Sequence, residues 1–244
     1  MANRGTQRAG AVASTSRRPG AAEAAALGGY GALAALNLGA LAAGAERVAG
    51  AAQWFLMPAL VLVLLTSRPR GVEPLARLRV LTLGALFFSW VGDTLPDLVP
   101  EDVRFPALVA AFLCAQWCFI AGFWPWRHRS VARRRAVLAI YLAALVALIV
   151  LCAPEAGGLL GPVIVYGASL TTMALLATGL GRLAGWGGAL FLVSDALIAL
   201  GAFRDLDGRV FSVAVMATYI AAELLLVLGI QRHRHEHAAP MDRR

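Results

Sequence analysis

Lysine is missing from this 244-residue chain: all 22 basic residues are arginine. The interiors of its long apolar runs hold no base to neutralise an acid. Cysteine is nearly as scarce. Cys114, Cys118 and Cys152 all sit in apolar segments, and the first two are one helical turn apart, a poor spacing for a disulfide. No His or Cys group with zinc spacing accompanies them, so they read as small buried hydrophobes, with no metal or other cofactor expected. The first 24 residues lack the compact apolar core of a cleaved signal peptide. Residues 1–26 therefore read as a disordered basic arm. Period-two alternation is absent too, which argues against a transmembrane β-barrel.

What the chain has in excess is apolar length. It is 59% hydrophobic, with a mean hydropathy of +0.71, where soluble domains lie near about 45–50% apolar. The excess falls in runs long enough for the roughly 20-residue helices that cross a bilayer. Spans are expected near residues 27–44, 50–66, 78–96, 106–125, 134–152, 159–180, 184–203 and 211–230. The fold class is thus all-α, a polytopic bundle of about eight spans in a single domain over residues 27–230. A polar, solvated tail is expected over 231–244; its alternating histidines could hold a metal, but a plain tail is the simpler reading.

Charge placement sets an orientation. Eight spans put both termini on one side, and 18 of the 22 arginines fall there. The other side holds Arg47, Arg104, Arg204 and Arg209, together with acids that include Asp97, Glu101, Asp102, Glu155, Asp205 and Asp207. By the positive-inside rule both termini are cytoplasmic. The same pattern accounts for the net charge of +8 without nucleic acid. The expected setting is a bacterial cytoplasmic membrane; oligomeric state is left open. Trp124 and Trp126, after the fourth span, fit an interfacial belt.

Three carboxylates fall inside the spans: Asp93, Asp195 and Glu223. An acid at the bilayer centre costs about 2.5–3.5 kcal/mol on insertion scales, and such residues usually face the protein interior and mark function. Asp93 lies in FFSWVGDTL (87–95) and Asp195 in ALFLVSDALIAL (189–200). Both motifs follow Gly-Ala-Leu-Phe and share the pattern Val-small-Asp-x-Leu. They occupy spans pointing the same way, four helices apart, as in a parallel duplication. The small neighbours Gly92 and Ser194 permit close helix approach. Two nearby carboxyls in low dielectric do not ionise together easily, so one is expected as the neutral acid while its partner can be charged. That division suits protonation of one atom beside a developing cation, as in opening an acetal or enol ether. Ser89, Gln116, Tyr166, Ser194, Tyr219 and Glu223 are candidates to bind or support, although Tyr and Ser in spans are commonly plain interhelical hydrogen bonders.

Over residues 50–230 these motifs resemble the YhhN-type lysoplasmalogenase family, eight-span membrane proteins with Ser-x-x-Gly-Asp on the third span and Phe-x-x-Ser-Asp on the seventh. Met57-Pro58, Phe112-Leu113, Val165-Tyr166, Met173 and Phe203 also match. The chain departs from the family at Met57, where a Lys is usual. It departs again at Gln116 and Phe119, where His and Tyr are usual, and at Glu223, where Gln is usual. The resemblance implies hydrolysis of the vinyl-ether bond of lysoplasmalogens to a fatty aldehyde and a glycerophospho-headgroup, with Asp93 and Asp195 catalytic and a lipid as substrate. The alternative is a proton-coupled transporter or permease using the same acids. An intramembrane aspartyl protease is disfavoured, because Trp90 stands where the Gly-x-Gly-Asp signature needs its first Gly. A scaffold with buried acids as packing locks is the remaining reading.

Overall fold

The computed structural model describes residues 20–67, 74–204 and 206–238. Most of the expected N-terminal arm lies outside them, as do Arg68, Arg70, Asp205, Arg243 and Arg244. Among the described residues there are eight α-helices and no strand: α1 (Ala21–Ala43), α2 (Glu46–Thr66), α3 (Leu75–Thr94), α4 (Glu101–Phe123), α5 (Arg135–Ala156), α6 (Leu160–Ala177), α7 (Arg182–Arg204) and α8 (Arg209–Ala238). Seven continuous helical stretches are long and apolar enough to cross a membrane. One of them, Arg135–Leu180, has 46 residues. At 1.5 Å per residue it would run about 70 Å, more than twice a hydrocarbon layer. It turns back at Gly157, whose φ of 49° and ψ of −125° end α5, and α6 returns along α5.

Short connections make neighbours in sequence neighbours in space. The pairs α1–α2, α3–α4, α5–α6 and α7–α8 all pack together. Contacts of α2 with α3, α4 with α6, α6 with α7 and α8 with α1 close a ring of seven helices. Helix α5 stands outside the ring, on α6 and α7, and its large apolar side chains Ile140, Val146 and Val150 are exposed. They belong against lipid tails, since no water-soluble fold leaves such a face bare. Helices α3 and α7 both lie in the ring, whereas α1 is in it and α5 is not, so the two halves of the chain are not packed alike.

Glycine lets α7 and α8 approach closely. A Cβ on Gly187 would meet the Leu226 amide nitrogen at 2.7 Å, and one on Gly229 would run into the backbone of Ala184. The core inside the ring joins Leu56, Leu60, Leu86, Phe119, Met173, Phe191 and Leu226.

Three sequence expectations need correction. Helix α1 begins at Ala21, inside the expected arm, because six largely Ala residues extend the first turn well. Helix α8 continues to Ala238 where a solvated tail is expected. There Gln231, His233 and Arg234 are buried. Gln231 Nε2 donates to the Val63 carbonyl at 2.8 Å, and Ser67 Oγ lies 2.9 Å from His235 Nε2. Contact with the end of α2 and with Trp126, just after α4, holds these polar turns in the bundle. Trp126 is likewise buried, edge-on against the His233 ring, whereas Trp124 is exposed with the Arg127 guanidinium over its face.

Candidate active site

The last turns of α3 present Ser89 and Asp93 four residues apart, hence on one face. Helix α8 presents Tyr219 and Glu223 at the same spacing, running the opposite way. The two faces meet as an antiparallel ladder with two rungs. Ser89 Oγ donates to Glu223 Oε1 at 2.8 Å, and Tyr219 Oη donates to Asp93 Oδ2 at 2.9 Å. The second Asp93 oxygen accepts from Gln53 Nε2 of α2 at 3.0 Å. Beside the ladder Gly92 leaves room for the Phe112 ring of α4: a Cβ there would stand 2.6 Å from it.

Asp195 is held separately. Tyr166 Oη of α6 donates to Asp195 Oδ2 at 2.5 Å. Phe191, one turn earlier on α7, packs edge-on with Phe112 and with Tyr219, the hydroxyl partner of Asp93. The two aspartates are not hydrogen-bonded to each other; each has its own tyrosine. All three carboxyls nonetheless lie within electrostatic reach, Asp93 of Glu223 and Asp195 of both. All three are buried. Among the described residues no arginine or histidine forms an ion pair with them, the one ion pair being Arg232 with Glu236 at 2.8 Å on the surface.

The expected supporting residues divide. Ser89, Tyr166 and Tyr219 contact the carboxyls directly. Ser194 does not: its hydroxyl donates to the Val215 carbonyl at 3.1 Å and ties α7 to α8. Gln116 is completely buried beside Tyr166, yet neither its Oε1 nor its Nε2 has a hydrogen-bond partner. Glu223 Oε2 also lacks one. Sequence reading passed over Gln53 and Tyr30. Gln53 carried a usable signal, a buriable amide within the second apolar run. Tyr30 gave less, because its hydroxyl donates to the Ile220 carbonyl at 2.8 Å, on the helix turn that carries Tyr219 and Glu223.

Asp195 and Tyr166 are the polar members of the lining of a cavity of about 580 Å³. Its walls are Phe105 to Leu113 of α4, Leu148 of α5, Leu159 to Leu170 around α6, and Ile198 to Phe203 of α7. Apart from the acid and its tyrosine they are almost wholly apolar. This is the size of sites that take small organic ligands, roughly 300–1,000 Å³.

An apolar cavity with a carboxyl in its wall, and two more carboxyls near, suits a long-chain molecule that reacts with a proton. Against known proteins, residues 50–230 match the model of the YhhN family. The chain belongs to the YhhN family. Over 181 residues it is 32% identical to "Lysoplasmalogenase" of Mycobacterium bovis, covering 70% of this chain and 69% of that one. "Lysoplasmalogenase" of Mycobacterium tuberculosis matches equally, at 32% identity over the same coverage. "Lysoplasmalogenase TMEM86B" of Rattus norvegicus is 41% identical over 76 residues, 29% of this chain and 30% of that one. No solved structure matches. The matched region of this YhhN family member runs from α2 to the middle of α8 and so contains all three buried acids.

Proposed function

We propose that this YhhN family member hydrolyses the vinyl-ether bond of lysoplasmalogens, releasing a fatty aldehyde and a glycerophospho-headgroup. The observation that carries the reading is the apolar cavity whose lining includes Asp195 and its hydrogen-bond partner Tyr166. The hydrocarbon chain lies in the cavity, and the vinyl ether meets the acid where the chain ends. The relatives named lysoplasmalogenase support the same chemistry.

In the proposed reaction Asp195, as the neutral acid, gives its proton to the β-carbon of the vinyl ether. The double-bond electrons form that C–H bond, and positive charge develops as an oxocarbenium. Asp93, held by Tyr219 and Gln53, stabilises that charge across the low-dielectric interior and orients water. Water adds to the cationic carbon and gives a proton to the Asp195 carboxylate, restoring the acid. In the resulting hemiacetal that acid protonates the departing glycerol oxygen, as the hemiacetal hydroxyl gives its own proton back to the carboxylate. The bond to the glycerol oxygen breaks, leaving aldehyde and alcohol. Lateral entry from the lipid suits the amphiphilic substrate. With the arginine-rich end inward, both termini are cytoplasmic and the acids lie toward the outer half of the layer.

The test is aldehyde release from lysoplasmenylethanolamine by purified protein. Wild type should be active, and Asp93→Asn and Asp195→Asn should each lose at least ~100-fold. Full activity in both variants sinks the acid pair. The second reading, a proton-coupled permease, is favoured by the three carboxyls without a counter-cation. Substrate-driven proton flux in liposomes, with no aldehyde formed, would select it instead.

A further inference from the structure

At the other end of the bundle, two arginines stand where positive charge is least comfortable. Arg234, near the end of α8, is 1% exposed, and its Nε and Nη1 have no hydrogen-bond partner. Arg79, in the second turn of α3, is half-buried, with a buried Nε that is also unpartnered. The two guanidiniums are within electrostatic reach of each other. Among the described residues neither meets a carboxylate. A buried guanidinium without an acceptor is strongly disfavoured, and a second cation beside it makes matters worse. An anion between them relieves both.

We propose that Arg79 and Arg234 form a binding site for a phosphate group, separate from the acid cluster. Guanidinium N–H groups suit phosphate oxygens geometrically, and two of them more than balance the single negative charge of a lipid phosphodiester. Basic pockets between transmembrane helices at the arginine-rich side are placed at the depth of anionic lipid headgroups. Arg79, only half-buried, leaves a route in. The substrate's own headgroup does not reach. Asp93, which faces the reacting carbon in the proposed reaction, is 14 residues along α3 from Arg79, about 21 Å at 1.5 Å per residue. In a glycerophospholipid the phosphorus and the sn-1 ether oxygen are only roughly 6–8 Å apart at bond lengths near 1.5 Å. The phosphate is therefore that of a second molecule, a lipid headgroup or a free phosphate.

The test uses the full chain, delipidated in neutral detergent, with melting followed by tryptophan fluorescence. The additions are phosphatidylglycerol micelles, phosphatidylcholine micelles, and inorganic phosphate balanced against chloride at equal ionic strength. Wild type should gain about 5 °C with phosphatidylglycerol at saturation and little with phosphatidylcholine. Arg79→Gln and Arg234→Gln should lose the gain. A gain with inorganic phosphate that the variants lose supports the same site with a soluble ligand. No gain in either anionic arm, or equal gains in wild type and variants, overturns the proposal. If Arg234→Gln does not fold, Arg79→Gln at the more exposed position decides. Arg79→Gln should keep the basal aldehyde release of wild type, and the melting readout does not depend on that activity existing.

Discussion

At the scale of single residues, the buried acids differ in how fully they are satisfied, and this sets what substitutions do. Both Asp93 oxygens have donors, from Gln53 and Tyr219. Tyr219→Phe leaves one of them an orphan acceptor, so a loss of about 1–3 kcal/mol is expected in detergent unfolding. Glu223 has only the Ser89 hydroxyl, and its Oε2 is unpartnered. Glu223→Gln keeps that rung while removing a buried ionisable group. The variant should therefore be as stable as wild type or more so, by up to about 1–3 kcal/mol. Its aldehyde release should stay within about tenfold of wild type, since Glu223 is not the proposed donor. A rate loss as large as that of Asp195→Asn would move Glu223 into the reaction itself.

At the scale of elements, the ladder between α3 and α8 depends on how tightly helices can pack. Glycine at the α7–α8 crossing fixes α8 against α7, and α8 carries Tyr219 and Glu223. Gly229→Ala drives a methyl into the Ala184 backbone and should cost about 1–3 kcal/mol, lowering both melting temperature and yield. Gly31→Ala on α1 meets nothing within 4 Å. That change should be neutral or stabilising by up to about 1 kcal/mol, because Ala is the better helix former. Equal effects of the two would show that the close crossing carries no energetic weight. The period of Ser89/Asp93 and Tyr219/Glu223 was visible in the sequence as i, i+4 pairs. Which pair would face which was not, because α3 and α8 are more than a hundred residues apart.

At the scale of the whole molecule, the closed ring separates two polar ends of opposite character. Three carboxyls lie toward one end and Arg79 and Arg234 at the other, with an apolar core between. The cavity opens among α4, α5, α6 and α7, on the side where α5 stands outside the ring. Ala199 is on its wall. Ala199→Trp should shorten the space for a hydrocarbon chain. In a series of vinyl-ether substrates, KM should rise with chain length in the variant, while short-chain kcat is kept. Equal loss at every chain length would place the substrate chain elsewhere.

The sequence by itself determined that this is a membrane-spanning helical protein, since no other fold satisfies the backbone of such long apolar runs in lipid. It also marked Asp93, Asp195 and Glu223, because an acid in such a run stands out whatever surrounds it. Composition could not show that α5 lies outside the ring, because a helix facing lipid and one facing apolar neighbours have the same hydropathy. Nor could it show that α8 holds its polar end inside the bundle. His233 and Arg234 look like tail residues until α2, α3 and the turn after α4 are placed around them. Only tertiary structure gave each aspartate its own tyrosine and recruited Gln53, because hydrogen-bond partners are fixed by which helices meet and at what height. That depends on side-chain shape at the crossings, such as the missing Cβ atoms of Gly92, Gly187 and Gly229, which the pattern of polar and apolar residues does not record.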